Sequence, residues 1–301
     1  MKRLLTYALL TVLLCSCGTA ARYLRGPASA EILARSGNDG IIEVVDYRCS
    51  EPGLSKRRMV IYLPPAYYED SLRRYPVMYL LHGARGNEVT WIDYGDAFRI
   101  LDSLRRDGLA EDFILVQPNM NNYRGDEDYK DGHALPAMRA FWLLDGEAER
   151  YFRQDVVLLV DSLYRTIPSK EGRALAGMSS GGLQAIHLSA RHPDDFDYIG
   201  LFSPYVRPTF AAWGHPDVYG SLWRRLERQF ETPPELYAIY IGKTDFFYPH
   251  IRNFDRKLSR KGYPHRLWIA EGGHEWYNWT AFLSDFYQSV FHSDFRGNNA
   301  R

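Results

Sequence analysis

Residues 173–182 read RALAGMSSGG, two adjacent serines between glycines. A serine hydroxyl is a weak nucleophile near neutral pH. It becomes a useful one when a sharp turn lifts it clear of the backbone and a nearby base takes its proton. The pattern G-x-S-x-G fits Gly177, Ser179 and Gly181, with the strand-like RALA before it and the helix-like GLQAIHLSA after it. That is the context a strand-to-helix nucleophile turn requires. Register separates the two serines, because a motif centred on Ser180 would need glycine at 178, where the chain has Met178. Ser179 is therefore the candidate nucleophile. Ser180, at the start of the helix, would offer its backbone N–H to a developing oxyanion.

Such a serine needs a base, and the base an orienting carboxylate, which in the α/β-hydrolase order follow as Ser, then Asp or Glu, then His. Five of the nine histidines follow Ser179 at a useful distance: His215, His250, His265, His274 and His292. His274 stands out in WIAEGGHEW, just past a strand-like run on a glycine-loosened turn, whereas His265 precedes its strand and His292 falls in the last helical segment. For the acid, LYAIYIGKTDFF supplies Asp245 a few residues beyond an apolar run. Asp255 lies in the charged stretch RNFDRKLSR and reads as a solvated face, and Asp217 in WGHPDVYG is the alternative. The second oxyanion donor is expected after YLLHG, from the backbone of Ala84, with Arg85 next. His82 in that segment reads as structural, holding loop backbone.

These residues need a scaffold that delivers them to one edge. Short apolar runs recur at 41–45, 59–64, 77–83, 113–118, 173–179, 198–203, 236–242 and 266–273. Between several of them lie helical periodicities: Phe98, Leu101 and Leu104 after a possible Asp96 cap; Phe152, Val156, Leu159, Val160 and Leu163; and finally Phe282, Leu283, Phe286, Tyr287 and Val290. The alternation predicts an α/β fold, a mostly parallel central sheet with helices on both faces and ligands beyond the carboxyl ends of its strands.

At 301 residues and 46% hydrophobic positions the chain can bury a large core, and no linker or repeat divides it. Thirty-seven basic residues cancel thirty-seven acidic ones without a basic stripe, which argues against nucleic acid as a partner. Residues 1–17, MKRLLTYALLTVLLCSC, place Lys2 and Arg3 before an apolar run too short to span a bilayer, followed by small residues. This reads as an export signal. Its ending resembles a bacterial lipobox, with Cys17 as the lipid-modified first residue of the mature chain and Cys15 an unusual residue at its place; a plain cleaved signal is the alternative. The expected organisation is a lipoprotein-type signal at 1–17, a tether at 18–39, a catalytic domain at 40–292 and a tail at 293–301. The expected location is the cell envelope, periplasm-facing or anchored to the outer membrane. Cys49 would then be the sole remaining thiol, in a polar turn with no base near it in sequence. No His/Cys cluster has metal-ligand spacing and no phosphate-cradling loop appears, so no metal or cofactor is expected.

Aromatic residues crowd two stretches without a sheet role, 121–148 and 204–234: Tyr123, Trp142, Tyr205, Trp213 and Tyr219. With Trp276, these could rim a pocket and stack on a sugar or phenolic ring; ordinary packing of long loops is the alternative. Trp142, Trp213 and Trp276 are the candidate substrate-binding residues.

The segments RRMVIYLPPAYYEDSLRRYPVMYLLHGARGNEVTW, YRTIPSKEGRALAGMSSGG, FDYIGLFSP, YIGKTDFF and EGGHEWYNW, taken in order, resemble an esterase family of the α/β-hydrolase superfamily. That family groups esterase D, enterochelin esterase-like proteins, antigen 85-type mycolyltransferases, and the feruloyl and acetylxylan esterases of carbohydrate esterase family 1. The likeness runs from about residue 40 to 290. It implies a serine esterase with Ser179 as nucleophile, Asp245 as acid, His274 as base and the amides of Ala84 and Ser180 as oxyanion donors. One departure is Ser180, where the family commonly has methionine. An exported esterase with aromatic loops suits acetyl or feruloyl esters on carbohydrate. Alternatives are an acyltransferase of the antigen 85 type, a siderophore esterase, and a noncatalytic glycan-binding lipoprotein.

Overall fold

The computed structural model describes residues 23–50, 56–121, 146–206 and 214–292. Among these residues nine strands run β1 (Tyr23–Pro27), β2 (Ile41–Arg48), β3 (Lys56–Leu63), β4 (Val77–Leu81), β5 (Ile114–Pro118), β6 (Arg173–Met178), β7 (Tyr198–Phe202), β8 (Leu236–Gly242) and β9 (Arg266–Ala270). They form one sheet in the order β1-β2-β3-β5-β4-β6-β7-β8-β9. The β1–β2, β2–β3 and β3–β5 pairs are antiparallel. Every pair from β5 to β9 is parallel.

The central strands are buried along their whole length, so they read as continuous apolar runs. Alternation still operates, now between two cores. Val77, Tyr79 and Leu81 of β4, with Leu175 of β6, enter a cluster containing Phe152, Val156, Val160, Ile186, Leu188, Phe254 and Leu258. Met78 and Leu80, with Ala174, Ala176 and Met178, enter the opposite one with Phe98, Leu101, Phe282, Leu283 and Phe286. Helices Glu147–Phe152, Leu158–Leu163, Ser180–Arg191, Leu222–Gln229 and Tyr248–Arg260 thus cover one face, and Ala30–Ser36, Ala97–Arg106 and Trp276–Ser289 the other.

The chain passes from β4 outward to β5 and then back across β4 to β6. Strand order reverses there, and the loops after β4 and β6 part toward opposite faces. A crevice at the carboxyl ends is the geometric consequence.

Three expectations need correction. The segment expected as a tether at 18–39 is, from Tyr23 onward, strand β1 and the helix Ala30–Ser36, with Ile32 buried. Tyr23 to Pro27 pair with Tyr47 to Glu43, so the sheet begins earlier than its apolar runs suggest. Asp96 stands at the N-cap position of Ala97–Arg106, but in a left-handed conformation with no capping hydrogen bond; its carboxylate pairs with Arg99 at 2.6 Å. His292 follows the last helix, which ends at Ser289, and faces Glu111 at 3.6 Å. Residues 1–17, Cys17 among them, and the tail 293–301 lie outside the described residues. Among those described, no helix is long and apolar enough to cross a membrane.

Candidate active site

Ser179 ends β6 and begins the helix Ser180–Arg191 with φ 53° and ψ −114°, a conformation an L-residue adopts only under constraint. The constraint is visible on three sides. Its N–H donates to the Phe202 carbonyl at 2.9 Å, and its own carbonyl accepts from the N–H groups of Tyr205 at 2.9 Å and Leu183 at 3.2 Å. The flanking glycines are steric necessities: a Cβ on Gly177 would lie 2.5 Å from the Gly181 carbonyl, and one on Gly181 would lie 2.4 Å from the His82 carbonyl. The turn can form only if both lack side chains.

His274 follows β9 on a turn that closes over β8. The Thr244 N–H donates to the Gly272 carbonyl at 3.0 Å, and the approach is so close that a Cβ on Gly242 would stand 2.3 Å from that oxygen. The turn is held from below by Asn278, whose amide donates to the Gly273 carbonyl at 2.9 Å. The His274 imidazole then reaches both partners: Nδ1 lies 2.9 Å from Asp245 Oδ2 and Nε2 lies 3.0 Å from Ser179 Oγ. An ionised carboxylate only accepts, so Nδ1 carries the proton and Nε2 is left to accept from the serine hydroxyl.

Asp245 sits three residues past β8 with its side chain fully enclosed. Burial pushes its carboxyl up, but the His274 hydrogen bond, the Phe247 N–H at 2.8 Å and the Ser203 hydroxyl outweigh that and hold it below its ordinary value. Ser203 is fully buried just after β7, with left-handed φ 44°. It was not among the residues singled out in sequence, although its place at the carboxyl end of a strand was a signal.

The other proposed acids are engaged elsewhere. Asp217 pairs with Arg150 at 2.7 Å, and Asp255 joins Arg252 and His265 at 3.1 and 3.2 Å, half-buried where a solvated face was expected. His215 lies 3.3 Å from Arg150, and His250 stands half-buried in the helix Tyr248–Arg260.

The loop after β4 packs directly against the serine turn. A Cβ on Gly83 would come within 3.5 Å of the Ser179 Cβ, and Ala84 and Arg85, both exposed, follow at the crevice. Arg85 has φ 69°, so the backbone turns sharply here. Ser180 is buried in the first turn of its helix. His82 holds the loop: Nε2 accepts from the Met120 N–H at 2.9 Å, so Nδ1 donates to the Gly83 carbonyl at 2.8 Å. Burial lowers the His82 pKa to about 4, keeping it neutral in that bridging form. Buried Arg57 donates to the Asn119 carbonyl at 3.1 Å, Asn119 to Glu88 at 2.6 Å, and Asn121 to the Gly86 carbonyl at 2.7 Å. The loop is thereby pinned by polar groups that water does not reach.

Aromatic rings surround the imidazole. Phe246, Phe247 and Trp279 have centroids 4.5, 5.2 and 4.9 Å from it. Trp276 packs edge-on against Trp279 and Trp91 and stacks on exposed Tyr94 at 5.5 Å. Of the three candidate substrate-binding tryptophans, Trp276 is the one among the described residues; Trp142 and Trp213, like Tyr123, lie outside them. Tyr205 packs on Phe247 at 5.2 Å. Tyr219 donates to buried Glu149 at 2.6 Å and so belongs to the interior. Phe246 and Tyr94 were missed, although an aromatic directly after the candidate acid was a usable signal.

Comparison with known proteins places this arrangement. The family described as "Putative esterase" matches residues 54–288. An endo-1,4-beta-xylanase/feruloyl esterase of Xylanibacter ruminicola is 28% identical over 259 residues, covering 84% of this chain. This chain spans 32% of the length of that relative. Among solved structures, a ferulic acid esterase from Anaeromyces mucronatus in complex with ferulic acid superposes with TM-score 0.65 and 20% identity, over 84% of this chain and 91% of that one. An S-formylglutathione hydrolase from Staphylococcus aureus superposes with TM-score 0.64 and 15% identity, over 83% and 96%. The sheet order, the serine turn and the family match over most of the chain lead to one statement: this chain belongs to the "Putative esterase" family and has the α/β-hydrolase fold.

Proposed function

We propose that the chain is a serine hydrolase of carboxylic esters carried on carbohydrate, acetyl or feruloyl groups being the acyl parts. One observation carries the reading: a strained Ser179 whose Oγ lies 3.0 Å from His274 Nε2, while Nδ1 of the same ring lies 2.9 Å from enclosed Asp245. A structural role would require neither the strain nor the relay. The substrate class draws support from the relative that joins xylanase and feruloyl esterase in one name.

Ser179 Oγ attacks the ester carbonyl as its proton passes to His274 Nε2. Asp245, kept ionised, holds the ring's orientation and stabilises the imidazolium that forms. The carbonyl oxygen becomes an oxyanion, and the backbone N–H groups of Ala84 and Ser180 are its proposed donors. As the C–O bond to the alcohol breaks, His274 returns the proton to the departing oxygen. A water then attacks the acyl-serine with His274 again as base, releasing the acid and restoring Ser179. Trp276 is proposed to border the substrate. Cys17 is proposed as a lipid anchor placing the domain at the cell envelope, tested by loss of fatty-acid labelling in Cys17→Ala.

The test is hydrolysis of p-nitrophenyl acetate, acetylated xylan and methyl ferulate by the domain from Tyr23 onward. Release from at least one of them supports the reading. A folded protein that cleaves none of them moves the site to acyl transfer or glycan binding.

A further inference from the structure

Phe246 follows Asp245 directly and is 64% exposed. Single exposed apolar residues are ordinary. This one lies with its ring centroid 4.5 Å from the His274 imidazole, tilted at 45°, and 4.4 Å from that of Phe247, which also packs on the imidazole. Among the described residues three rings pack on His274; Trp279 is buried and Phe247 half-buried, and Phe246 is the exposed one beside the base.

The direction of the chemistry says what meets that face. The oxyanion side of the ester points to the loop after β4 and the start of the helix Ser180–Arg191. The departing oxygen must end within hydrogen-bond reach of His274 Nε2, since that atom protonates it. Rings packed on the imidazole therefore border the alcohol part of the ester. The loop that carries Phe246 is polar ahead of it: Lys243 and Thr244 are exposed, and Lys243 forms an ion pair with Glu271. An exposed aromatic ring on a loop of exposed polar residues suits a sugar ring, which has C–H faces and a hydroxyl rim; an alkyl alcohol would need an apolar surround.

We infer that Phe246 is the platform for the sugar that bears the ester, and so determines preference for the alcohol part of the substrate. This rests on the esterase reading above. Phe246 touches the base as well as the bound sugar, so the useful readout is a ratio in which any general loss through His274 cancels.

The experiment compares esters of one acyl group, acetyl or feruloyl, on methanol, on octanol and on a pentose oligosaccharide, for wild type, Phe246→Leu and Phe246→Tyr. In Phe246→Leu the sugar-to-methyl ratio of kcat/KM falls roughly fivefold to tenfold, the loss expected for one aromatic stacking contact. Phe246→Tyr keeps the ratio, and the octyl-to-methyl ratio stays level in both variants. A sugar-to-methyl ratio unchanged in Phe246→Leu overturns the inference, as does an octyl ratio that falls equally. A wild type that cleaves none of the three esters overturns the esterase reading itself, which the ratios alone cannot do.

Discussion

His274 Nε2 and Ser179 Oγ stand 3.0 Å apart across 95 positions of sequence, one delivered by the turn after β9 and the other by the turn after β6. Replacing Ser179 with alanine removes the proposed attacking atom and leaves the hydrogen bonds of its backbone in place. Ester hydrolysis should fall by about a thousandfold to a millionfold, with circular dichroism and the melting transition close to wild type. Full activity in a folded Ser179→Ala sinks the mechanism.

Asp245→Asn preserves shape but presents an amide that can donate to Nδ1, favouring the wrong tautomer of His274. The expected effect is a fall in kcat of about three to four orders of magnitude with KM little changed. Steady-state kinetics on p-nitrophenyl acetate measures it. A KM effect alone would assign Asp245 to binding.

Gly181→Ala drives a Cβ to 2.4 Å from the backbone carbonyl of His82, an atom that cannot swing aside. Urea unfolding should show a loss of roughly 2–3 kcal/mol. The control is Gly26→Ala in strand β1, where nothing lies within 4 Å of the added atom and the change should stay within about 0.5 kcal/mol.

Two buried imidazoles make stability depend on pH. Burial lowers the His187 pKa from 6.5 to about 3 and the His82 pKa to about 4. The unfolded chain therefore binds protons that the folded chain refuses, and stability should fall as pH drops from about 6.5 until the folded rings themselves titrate. His187→Leu removes one of the two and should flatten the slope between pH 6.5 and 4 by up to about 1.4 kcal/mol per pH unit. Unfolding free energies at several pH values decide, and an unaltered slope refutes the assignment.

Much of this molecule was legible because its central strands are dry on both faces. Runs such as VMYLL and ALAGM have nothing polar to interrupt them, and glycines mark the turns that follow, where Ser179 and His274 stand. Strand β1 was illegible for the opposite reason. YLRGP is mostly exposed, contains a glycine and a proline, and is a strand only because β2 offers it a partner. The rim of the site was hidden too. No local pattern distinguishes Tyr94 from core aromatics, and only its place directly after Asp245 marks Phe246, since their exposure arises from the meeting of separate loops. Ser203 bears on the Asp245 carboxyl from the end of a neighbouring strand, a relation that depends on sheet order and has no trace in spacing.

The left-handed backbone at Ser179 has a further consequence. A residue with a Cβ at that conformation holds of order 1–3 kcal/mol of conformational energy that the fold gains nothing by keeping. Alanine would inherit the burden; glycine would shed it. Ser179→Gly should therefore melt above both Ser179→Ala and the wild type, and a selection for thermostability blind to chemistry would erase the proposed nucleophile among its first improvements.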